Sequence, residues 1–375
     1  MSDDLSMLFE KFDRGQLSRR NLMKALGVAV ALRPAAALAQ GQCGKPGTPG
    51  CDDKTPAKLP FEPTGWRTVL LDHFTCRVHD YKKEAAYYNA LMNWNIRSDN
   101  GKEAMLDIGD WGGLLLKGGY TAPPPTAAEK ARFAQFQERA RKEGRKPRAY
   151  TPPNATFDNF CWGIEPWNAR TVEADLRKRG LSPVAENHGE FESFHVKDPE
   201  GFDLQISNGN RQNRRRTPAH AQESAPAPFA HTNWKTVWLD HISYQVSDYK
   251  KTVAFYQALL GWKPGVDEGS QNQVEAGDIG DLIIRRGYRI DPKKPMAPPP
   301  APHATIGHIA FGIQPFDPDQ VKAELEKRGL SASADTGGPD DIHTAFYKSY
   351  HTTTPNGFDL QISATTKATR SGQPT

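Results

Sequence analysis

The chain contains two copies of one sequence pattern, and this repeat limits its fold more than any other feature. Residues 239–262 read LDHISYQVSDYKKTVAFYQALLGW, and residues 71–94 read LDHFTCRVHDYKKEAAYYNALMNW. The heptapeptide GFDLQIS occurs at 201–207 and again at 357–363. An internal repeat of this quality predicts two copies of one domain. The 375 residues suffice for two domains of ordinary size, at roughly 100–200 residues each.

Each copy begins with a strand that is followed by a helix. In the later copy the polar residues His241, Ser243 and Gln245 alternate with apolar ones, which predicts a strand with one polar and one apolar face. Asp248 then stands in an N-cap position, and Gly261 is the residue type that ends a helix. Further strand, helix and hairpin patterns follow in each copy, at 157–207 and 305–363. The pattern predicts an α+β fold of two tandem domains.

The composition of the connecting segments predicts the boundaries of the domains. A Pro/Gly-rich flexible segment and a linker rich in Arg, Pro, Ala and Ser flank the first domain. A charged stretch inside that domain predicts a helix, which is either a lid over the domain or a plain solvated helix. The predicted segments are a signal peptide at 1–39, a flexible segment at 40–64, a first domain at 65–208 with an insertion at 120–154, a linker at 209–233, a second domain at 234–364 and a tail at 365–375.

The N-terminus resembles a twin-arginine export signal. Residues 18–24 read SRRNLMK, a weakly apolar core follows at 25–38, and Ala37-Leu38-Ala39 gives a small-residue cleavage pattern. The apolar run is too short and too interrupted to span a membrane, which needs about 20 residues. We therefore expect the twin-arginine export machinery as a partner, a periplasmic or secreted mature protein, and no stable membrane anchor.

The net charge and the cysteine spacing argue against a nucleic-acid-binding protein and against a cysteine-based zinc site. The net charge of +4 is small, and the one dense basic run, at 211–216, has no interleaved aromatic residues, so we expect no nucleic-acid partner. Cys43 and Cys51 could close a small loop in an oxidising compartment. Cys76 and Cys161 are predicted to be buried small hydrophobes, because no pair of cysteines has zinc-site spacing.

Four motifs of the chain are the L-D-H opening of each domain, the helix end FYQALLGW, the strand GHIAFGI and the hairpin that ends in GFDLQIS. Together they resemble those of the vicinal oxygen chelate superfamily, which includes glyoxalase I, extradiol dioxygenases and bleomycin-binding proteins. The resemblance covers residues 66–208 and 234–364. It implies that each domain is a pair of βαβββ units forming a curled mixed sheet with helices on the outside. The motifs are specific for the fold and weak for the reaction.

The resemblance also implies a metal site in the second domain. His241 and His308 match the first two metal ligands of the family, and Gln361 stands where a Glu is usual. Two imidazoles and an oxygen donor suit Fe, Mn, Zn or Ni as a divalent ion. Because Gln carries no charge, we expect weaker binding than by a carboxylate. Asp359 lies on the same strand face as Gln361, and three roles are open for it: a metal ligand, a residue that orients a ligand, or a hairpin residue held by backbone donors.

Two further expectations concern His351 and the first domain. His351 precedes the last strand and is expected to face the cup as a general base or acid, or else as a polar wall residue. The corresponding positions of the first domain carry a degenerate set, in which an Asn replaces the second His. That set is His73, Asn159, Gln205 and His195.

The sequence leaves two functions open. One is an exported, metal-dependent enzyme that acts on a small-molecule substrate chelated through two oxygens, by ring cleavage or by lyase or isomerase chemistry in the second domain. The other is a metal-free small-molecule binding protein of the bleomycin-resistance type. Metal content separates the two.

Overall fold

The structure is a computed structural model, and it describes residues 56–125, 127–142, 153–213, 225–286 and 304–369. Several predictions from the sequence lie wholly or partly outside the described residues: the signal peptide, the Cys43–Cys51 loop, most of the flexible segment, the end of the insertion, the middle of the linker and part of the tail. Among the helices that are described, none is long and apolar enough to cross a membrane.

Each domain forms one mixed sheet of eight strands, as the repeat predicts. The first domain consists of β1 (Arg67–Val78), α1 (Tyr81–Met92), β2 (Asn95–Asp99), β3 (Glu103–Ile108), β4 (Gly112–Lys117), α2 (Ala127–Lys142), β5 (Ala155–Glu165), α3 (Ala169–Lys178), β6 (Val184–His188), β7 (Phe191–Lys197) and β8 (Asp203–Ser207). The second consists of β9 (Lys235–Val246), α4 (Tyr249–Leu260), β10 (Lys263–Asp267), β11 (Gln271–Ala276), β12 (Gly280–Arg286), β13 (Ala304–Gln314), α5 (Pro318–Lys327), β14 (Ser333–Asp335), β15 (Ser349–Thr353) and β16 (Asp359–Ser363).

The two sheets have the same strand order, which confirms the predicted α+β fold of tandem domains. The order is β2-β3-β4-β1-β5-β8-β7-β6 in the first sheet and β10-β11-β12-β9-β13-β16-β15-β14 in the second. In each domain the first strands of the two units, β1 and β5 or β9 and β13, pair antiparallel at the centre of the sheet. We call the concave face of each sheet its cup.

The alternation in the central strands fixes which face of the sheet is buried. Ile242, Tyr244 and Val246 of β9 are fully buried and belong to the hydrophobic core. Their ring and aliphatic groups pack against α4, where the rings of Tyr244 and Tyr256 lie 6.3 Å apart. The polar residues between them therefore face the cup, as the sequence predicts.

The first helix of each domain lies outside its own sheet but is covered by the other domain. Nine of the twelve residues of α4 are buried, whereas α5 buries only Val321 and Leu325. Aromatic side chains of the first domain cover the side of α4 that points away from its own sheet. The ring centroids of Phe160 and Tyr256, for example, lie 6.1 Å apart. The two domains thus share one hydrophobic core, with the helices α1 and α4 inside it.

Both ends of these helices are also held by the other domain. At the C-terminal end of α4, Gly261 adopts a left-handed conformation with φ of 67°, and a Cβ there would lie 2.7 Å from the carbonyl oxygen of Trp66. The neighbouring Trp262 indole donates to Thr68 Oγ1 at 2.8 Å. The repeat supplies the matching bond, from the Trp94 indole to Thr236 Oγ1 at 2.9 Å.

At the N-terminal ends, the closing hairpin of each domain caps the helix of the other. The Glu200 carboxylate accepts hydrogen bonds from the backbone N–H groups of Ser247 and Asp248 and from the Ser247 hydroxyl. In the mirrored contact, Asn356 Oδ1 accepts from the Asp80 N–H at 3.1 Å, and Asn356 Nδ2 donates to Glu84 at 2.7 Å. Because the partial positive charge at a helix N-terminus favours an anion, Glu200 couples the two domains electrostatically.

We predict that Glu200→Ala destabilises the protein by about 2–4 kcal/mol, because buried donors at the start of α4 lose their acceptor. Urea denaturation measures this free energy of unfolding. The control is Glu173→Ala, which removes an exposed carboxylate bonded to Arg177 and should change stability by less than about 1 kcal/mol. Equal effects of the two substitutions would contradict the proposed cap.

The buried Glu84 carboxyl should make the stability of the domain interface depend on pH. Burial raises the pKa of Glu84, although hydrogen bonds from Thr354 and Asn356 oppose the rise. A group whose pKa is raised on folding stabilises the native state at low pH, and this contribution is lost as pH rises through the raised value.

We therefore predict that the free energy of unfolding of Glu84→Gln minus that of the wild type increases as the pH rises from about 4 to about 7. Urea titrations of both proteins at several pH values measure the difference. All other groups titrate in both proteins, so the difference isolates Glu84. A difference that is flat, or that falls with rising pH, would show that burial does not dominate at this residue.

Candidate metal and substrate site

The cup of the second domain contains a cross-strand row of four residues, three of which the sequence singled out. Ala310 of β13 pairs with His241 of β9 on one side and with Gln361 of β16 on the other, and Gln361 pairs with His351 of β15. His308 lies two residues before Ala310 on the same strand and so faces the same side. The strand register thus brings the three predicted ligand positions and His351 to one face of the sheet.

The imidazoles of His241 and His308 point their Nε2 atoms at each other across 3.0 Å. Both rings are largely shielded from solvent, with side-chain exposures of 8% and 15%. Burial lowers the pKa of His308 well below its usual value, and electrostatic repulsion by the neighbouring His241, His351 and Arg285 lowers it further. A neutral imidazole is the form that binds metal ions.

Asp240 holds His241 in the orientation that a ligand needs. One oxygen of its buried carboxylate lies 3.4 Å from Nδ1 of His241, and the other accepts a hydrogen bond from the Tyr347 hydroxyl at 3.1 Å. A carboxylate at Nδ1 favours the tautomer that leaves the Nε2 lone pair available. Adjacent strand residues normally face opposite sides, but a register shift between Leu239 and His241 lets the Asp240 carboxylate reach its neighbour.

Asp240 was not predicted from the sequence, although the repeat contained a signal for it. The L-D-H motif places an Asp before the first His of both domains, and Asp72 Oδ1 lies 2.7 Å from His73 Nδ1 in the first domain. The second occurrence of the same carboxylate–imidazole contact indicates that the Asp of the motif orients the His.

His351 lies between two carboxylates. Its Nδ1 is 2.9 Å from Asp359 Oδ1, and its Nε2 is 3.2 Å from Asp335 Oδ2. Burial lowers the pKa of His351, but these two carboxylates outweigh burial and raise it to about 9. His351 therefore carries a proton at neutral pH, whereas the sequence left open whether it is a general acid, a general base or a polar wall residue.

Asp359 lies between His351 and His308 and is placed to orient both. Its Oδ2 is 4.0 Å from Nδ1 of His308, on the side of the ring opposite to His241. Asp335, the other partner of His351, was not predicted. It ends a strand of three residues that has no alternating pattern, and only the fold brings it to the site.

Gln361 has one satisfied and one unsatisfied end. Its amide nitrogen donates to Ser349 Oγ at 2.7 Å and to the Tyr347 hydroxyl at 3.0 Å. Its Oε1 is buried and has no hydrogen-bond partner among the described residues. Buried polar atoms are nearly always paired, so an unpaired oxygen in a cup indicates a missing partner.

The cup of the first domain provides an internal comparison. His73, Cys161, Gln205 and His195 occupy the same cross-strand row, and Gln205 donates in the same way to Ser193 Oγ at 2.9 Å. Here, however, Asn159 Nδ2 donates to Gln205 Oε1 at 2.9 Å. The Asn that replaces the second His thus satisfies the oxygen that is left unpaired in the second domain.

The first cup also encloses a cavity of about 840 Å³ lined by polar side chains, including His73, Asn159, Gln205 and His195. His195 lies between Asp203, at 2.9 Å, and Glu186, at 2.6 Å, and these carboxylates outweigh burial and raise its pKa. Cys161 is buried as predicted, and burial raises the pKa of its thiol.

The residues present in the second cup fit a divalent metal ion. Two imidazole nitrogens converge, a carboxylate orients one of the rings, and an amide oxygen lacks a partner among the described residues. A second set of possible donors, His308, His351 and Asp359, also has ligand atoms within 4.8 Å of one another. We favour the first set, because His351 is held protonated by its two carboxylates. In the first cup the comparable group is Asp72, His73 and Cys161.

Comparison with known proteins agrees with the fold and with the motifs. Residues 238–362 match the family model of the Glyoxalase/Bleomycin resistance protein/Dioxygenase superfamily. Among curated protein sequences, no significant match is found.

Solved structures with the same fold are enzymes that are distant in sequence. The 2,3-dioxygenase LapB from Pseudomonas sp. KL28 has 14% identity and a TM-score of 0.51, over 79% of this chain and 92% of that one. Homoprotocatechuate 2,3-dioxygenase from Arthrobacter globiformis has 14% identity and a TM-score of 0.50, over 82% of each chain. The resemblance to the vicinal oxygen chelate superfamily is thus supported by sequence over the second domain and by fold over both.

Proposed function

We propose that the second domain holds one divalent metal ion through Nε2 of His241, Nε2 of His308 and Oε1 of Gln361. The protein is then a metal-dependent enzyme that acts on a small molecule chelated through two vicinal oxygens. Such an ion, when bound, supplies Lewis-acid stabilisation of negative charge on the chelating oxygens. Fe, Mn, Zn and Ni all suit two imidazoles and an oxygen donor.

One observation carries this proposal: the two cups differ in hydrogen bonding where they differ in sequence. With Asn159, the amide oxygen of Gln205 is paired. With His308, the amide oxygen of Gln361 is unpaired, and a second imidazole nitrogen lies 3.0 Å from that of His241. In this proposal one cation in the second cup is the common partner of the three atoms. Because Gln361 is uncharged, it should hold the ion less tightly than a carboxylate would.

The side chains of this domain assign the remaining roles. His351, with a pKa of about 9, is the proton donor to the bound substrate, and Asp335 and Asp359 keep it charged. Asp240 keeps the His241 tautomer fixed, and Asp359 lies behind His308. Ring cleavage and lyase or isomerase chemistry both use these parts, since each needs negative charge stabilised on the chelated oxygens and a proton moved.

The names of the structural neighbours favour ring cleavage of a catechol-like compound. One is a complex of homoprotocatechuate 2,3-dioxygenase from Brevibacterium fuscum with 3,4-dihydroxyphenylacetate, at 13% identity and a TM-score of 0.50. Such a compound presents two vicinal oxygens. The missing ligand carboxylate argues against oxygenation, so lyase or isomerase chemistry remains the alternative within this proposal.

Export through the twin-arginine machinery is part of the same proposal. It rests on the SRRNLMK motif, the apolar segment and the cleavage pattern at Ala37–Ala39, all of them sequence features. The mature chain then begins near Gln40 and works in the periplasm or outside the cell. N-terminal sequencing of mature protein from its native host tests this, and an intact Met1 would contradict it.

A metal-free binding protein is the second candidate function. The cavity of about 840 Å³ in the first cup favours it, because hydrogen bonds among its polar residues are complete without an ion. In that case both cups would serve as small-molecule pockets. Metal content separates the two candidates: the binding protein retains no ion in either cup.

We predict that the wild-type chain retains about one equivalent of Mn or Zn per chain after dialysis, and that His308→Asn loses it. Loss of a ligand should weaken binding by at least the roughly 10–100-fold expected for outer-shell changes. Elemental analysis measures the metal content. The fold should survive, because Asn159 already occupies the matching position in the first domain. Metal-free wild type, or full occupancy in His308→Asn, would overturn the site.

The reverse substitution should create a site. Asn159→His places a second imidazole beside His73 and frees Gln205 Oε1, so we predict about two equivalents of metal per chain. Elemental analysis measures the gain, and the double variant His73→Asn/Asn159→His serves as the control that removes it. An unchanged stoichiometry in Asn159→His would show that the two imidazoles do not determine metal binding.

A further inference from the structure

Arg285 brings a positive charge to the cup of the second domain. It lies on β12 and pairs with Gln245 of β9, four residues along from the pairing of Asp281 with His241. Leu282 and Ile284, which alternate with it, are fully buried in the core. Arg285 therefore faces the cup, on the same face as His241 and His308.

The guanidinium of Arg285 forms no ion pair with the described residues. Its Nε is buried without a hydrogen-bond partner, and no carboxylate of the described chain lies within ion-pair distance. Burial lowers its pKa, while the more distant charges of Glu268 and Asp335 oppose the fall. An arginine remains charged in proteins, so this site holds a cation that no carboxylate of the described residues contacts directly.

Other arginines with largely buried side chains in the described chain are paired. Arg328, with 4% of its side chain exposed, bonds Glu324, and Arg179, with 10%, bonds Asp175. Arg97, with 14%, bonds Asp107. Leaving a buried charge unpaired costs free energy, so an unpaired arginine in a concave site indicates an anionic ligand.

The surroundings of Arg285 point to the same cup. Ser243 Oγ and Gln361 Oε1 also face it and are buried without partners among the described residues. In the described part of the first domain, no buried polar atom of the cup face lacks a partner. Among the described residues, the unpaired buried atoms that face a cup thus lie in the second cup, and they include both an acceptor for a cation and a donor for an anion.

We propose that Arg285 binds an anionic group of the substrate, and that the substrate is a small carboxylic acid that also carries two vicinal oxygens. The inference rests on the proposed function, since the vicinal oxygens are those held at His241, His308 and Gln361. A guanidinium binds a carboxylate through two parallel N–H bonds, which also fixes the orientation of the ligand. Arg285 is a specificity residue, distinct from the proton donor His351.

Two probes with the same chelating oxygens and different charge test the proposal. We would titrate the full chain with 3,4-dihydroxybenzoate and with 4-methylcatechol under argon, once loaded with Mn(II) and once treated with EDTA. The wild type should bind the acid roughly 10–100-fold more tightly than the neutral compound. In Arg285→Gln the two affinities should become equal, because binding of the acid weakens while the affinity for 4-methylcatechol is unchanged. Arg285→Lys should retain part of the preference for the acid.

Lys117→Gln is the matched control, since Lys117 holds the corresponding position on β4 of the first domain and should leave the ratio unchanged. Equal binding of the two probes by wild type, no binding of either, or an unchanged ratio in Arg285→Gln would overturn the proposal. Failure of the proposed metal site appears separately, as identical affinities with Mn(II) and with EDTA. An acid preference that Arg285→Gln abolishes would still support the role of Arg285 in that case.

Discussion

The apolar face of each curled sheet must be covered, and the structure covers it by burying α1 and α4 between the two domains. This constraint fixes the direction of every side chain in the central strands. Once Ile242, Tyr244 and Val246 face the helix, His241, Ser243 and Gln245 must face the cup. Aligned strands then bring His308, Gln361 and His351 to the same face. The site is a consequence of a register that hydrophobic burial determines.

The repeat makes the protein its own comparison. In both cups a glutamine amide donates to a serine hydroxyl, Gln205 to Ser193 and Gln361 to Ser349. Both cups also have a histidine between two carboxylates, in the sets Glu186–His195–Asp203 and Asp335–His351–Asp359. The decisive difference is one residue, Asn159 in place of His308. In the first cup that Asn completes the hydrogen bonding, and in the second the His leaves an oxygen unpaired beside a second imidazole. The two domains thus share one fold and differ in the hydrogen bonding inside their cups.

Much of this arrangement follows from sequence patterns alone. The duplicated motifs predicted the fold, and the alternation in β9 and β13 predicted the faces of the strands. The expected convergence of His241, His308 and Gln361, with His351 facing the same cup, came from the family resemblance. The patterns could not predict Asp240, because a register shift brings its carboxylate to an imidazole that alternation places on the other side. They could not predict Asp335, which ends a short strand without periodicity, nor the unpaired state of Arg285. Pairing between residues far apart in sequence depends on tertiary structure.

The sequence also could not predict that each of the helices α1 and α4 is covered by the opposite domain. An amphipathic pattern predicts one buried face, whereas these helices bury nearly their whole circumference. Contacts between the domains hold both helices in this position. Glu200, in the closing hairpin of the first domain, accepts a hydrogen bond at the start of α4, and Asn356, in that of the second domain, accepts one at the start of α1. The short strands β6 and β10 are largely exposed and carry little apolar signal.

The proposed function requires that Nε2 of His241, Nε2 of His308 and Oε1 of Gln361 bind the same metal ion. Anomalous X-ray diffraction at the manganese edge, on crystals grown with Mn(II), tests it most directly. We expect one strong peak in the second domain, at about 2.0–2.3 Å from each of these atoms. A peak between His308 Nδ1, His351 and Asp359, or no peak in this cup, would contradict the account.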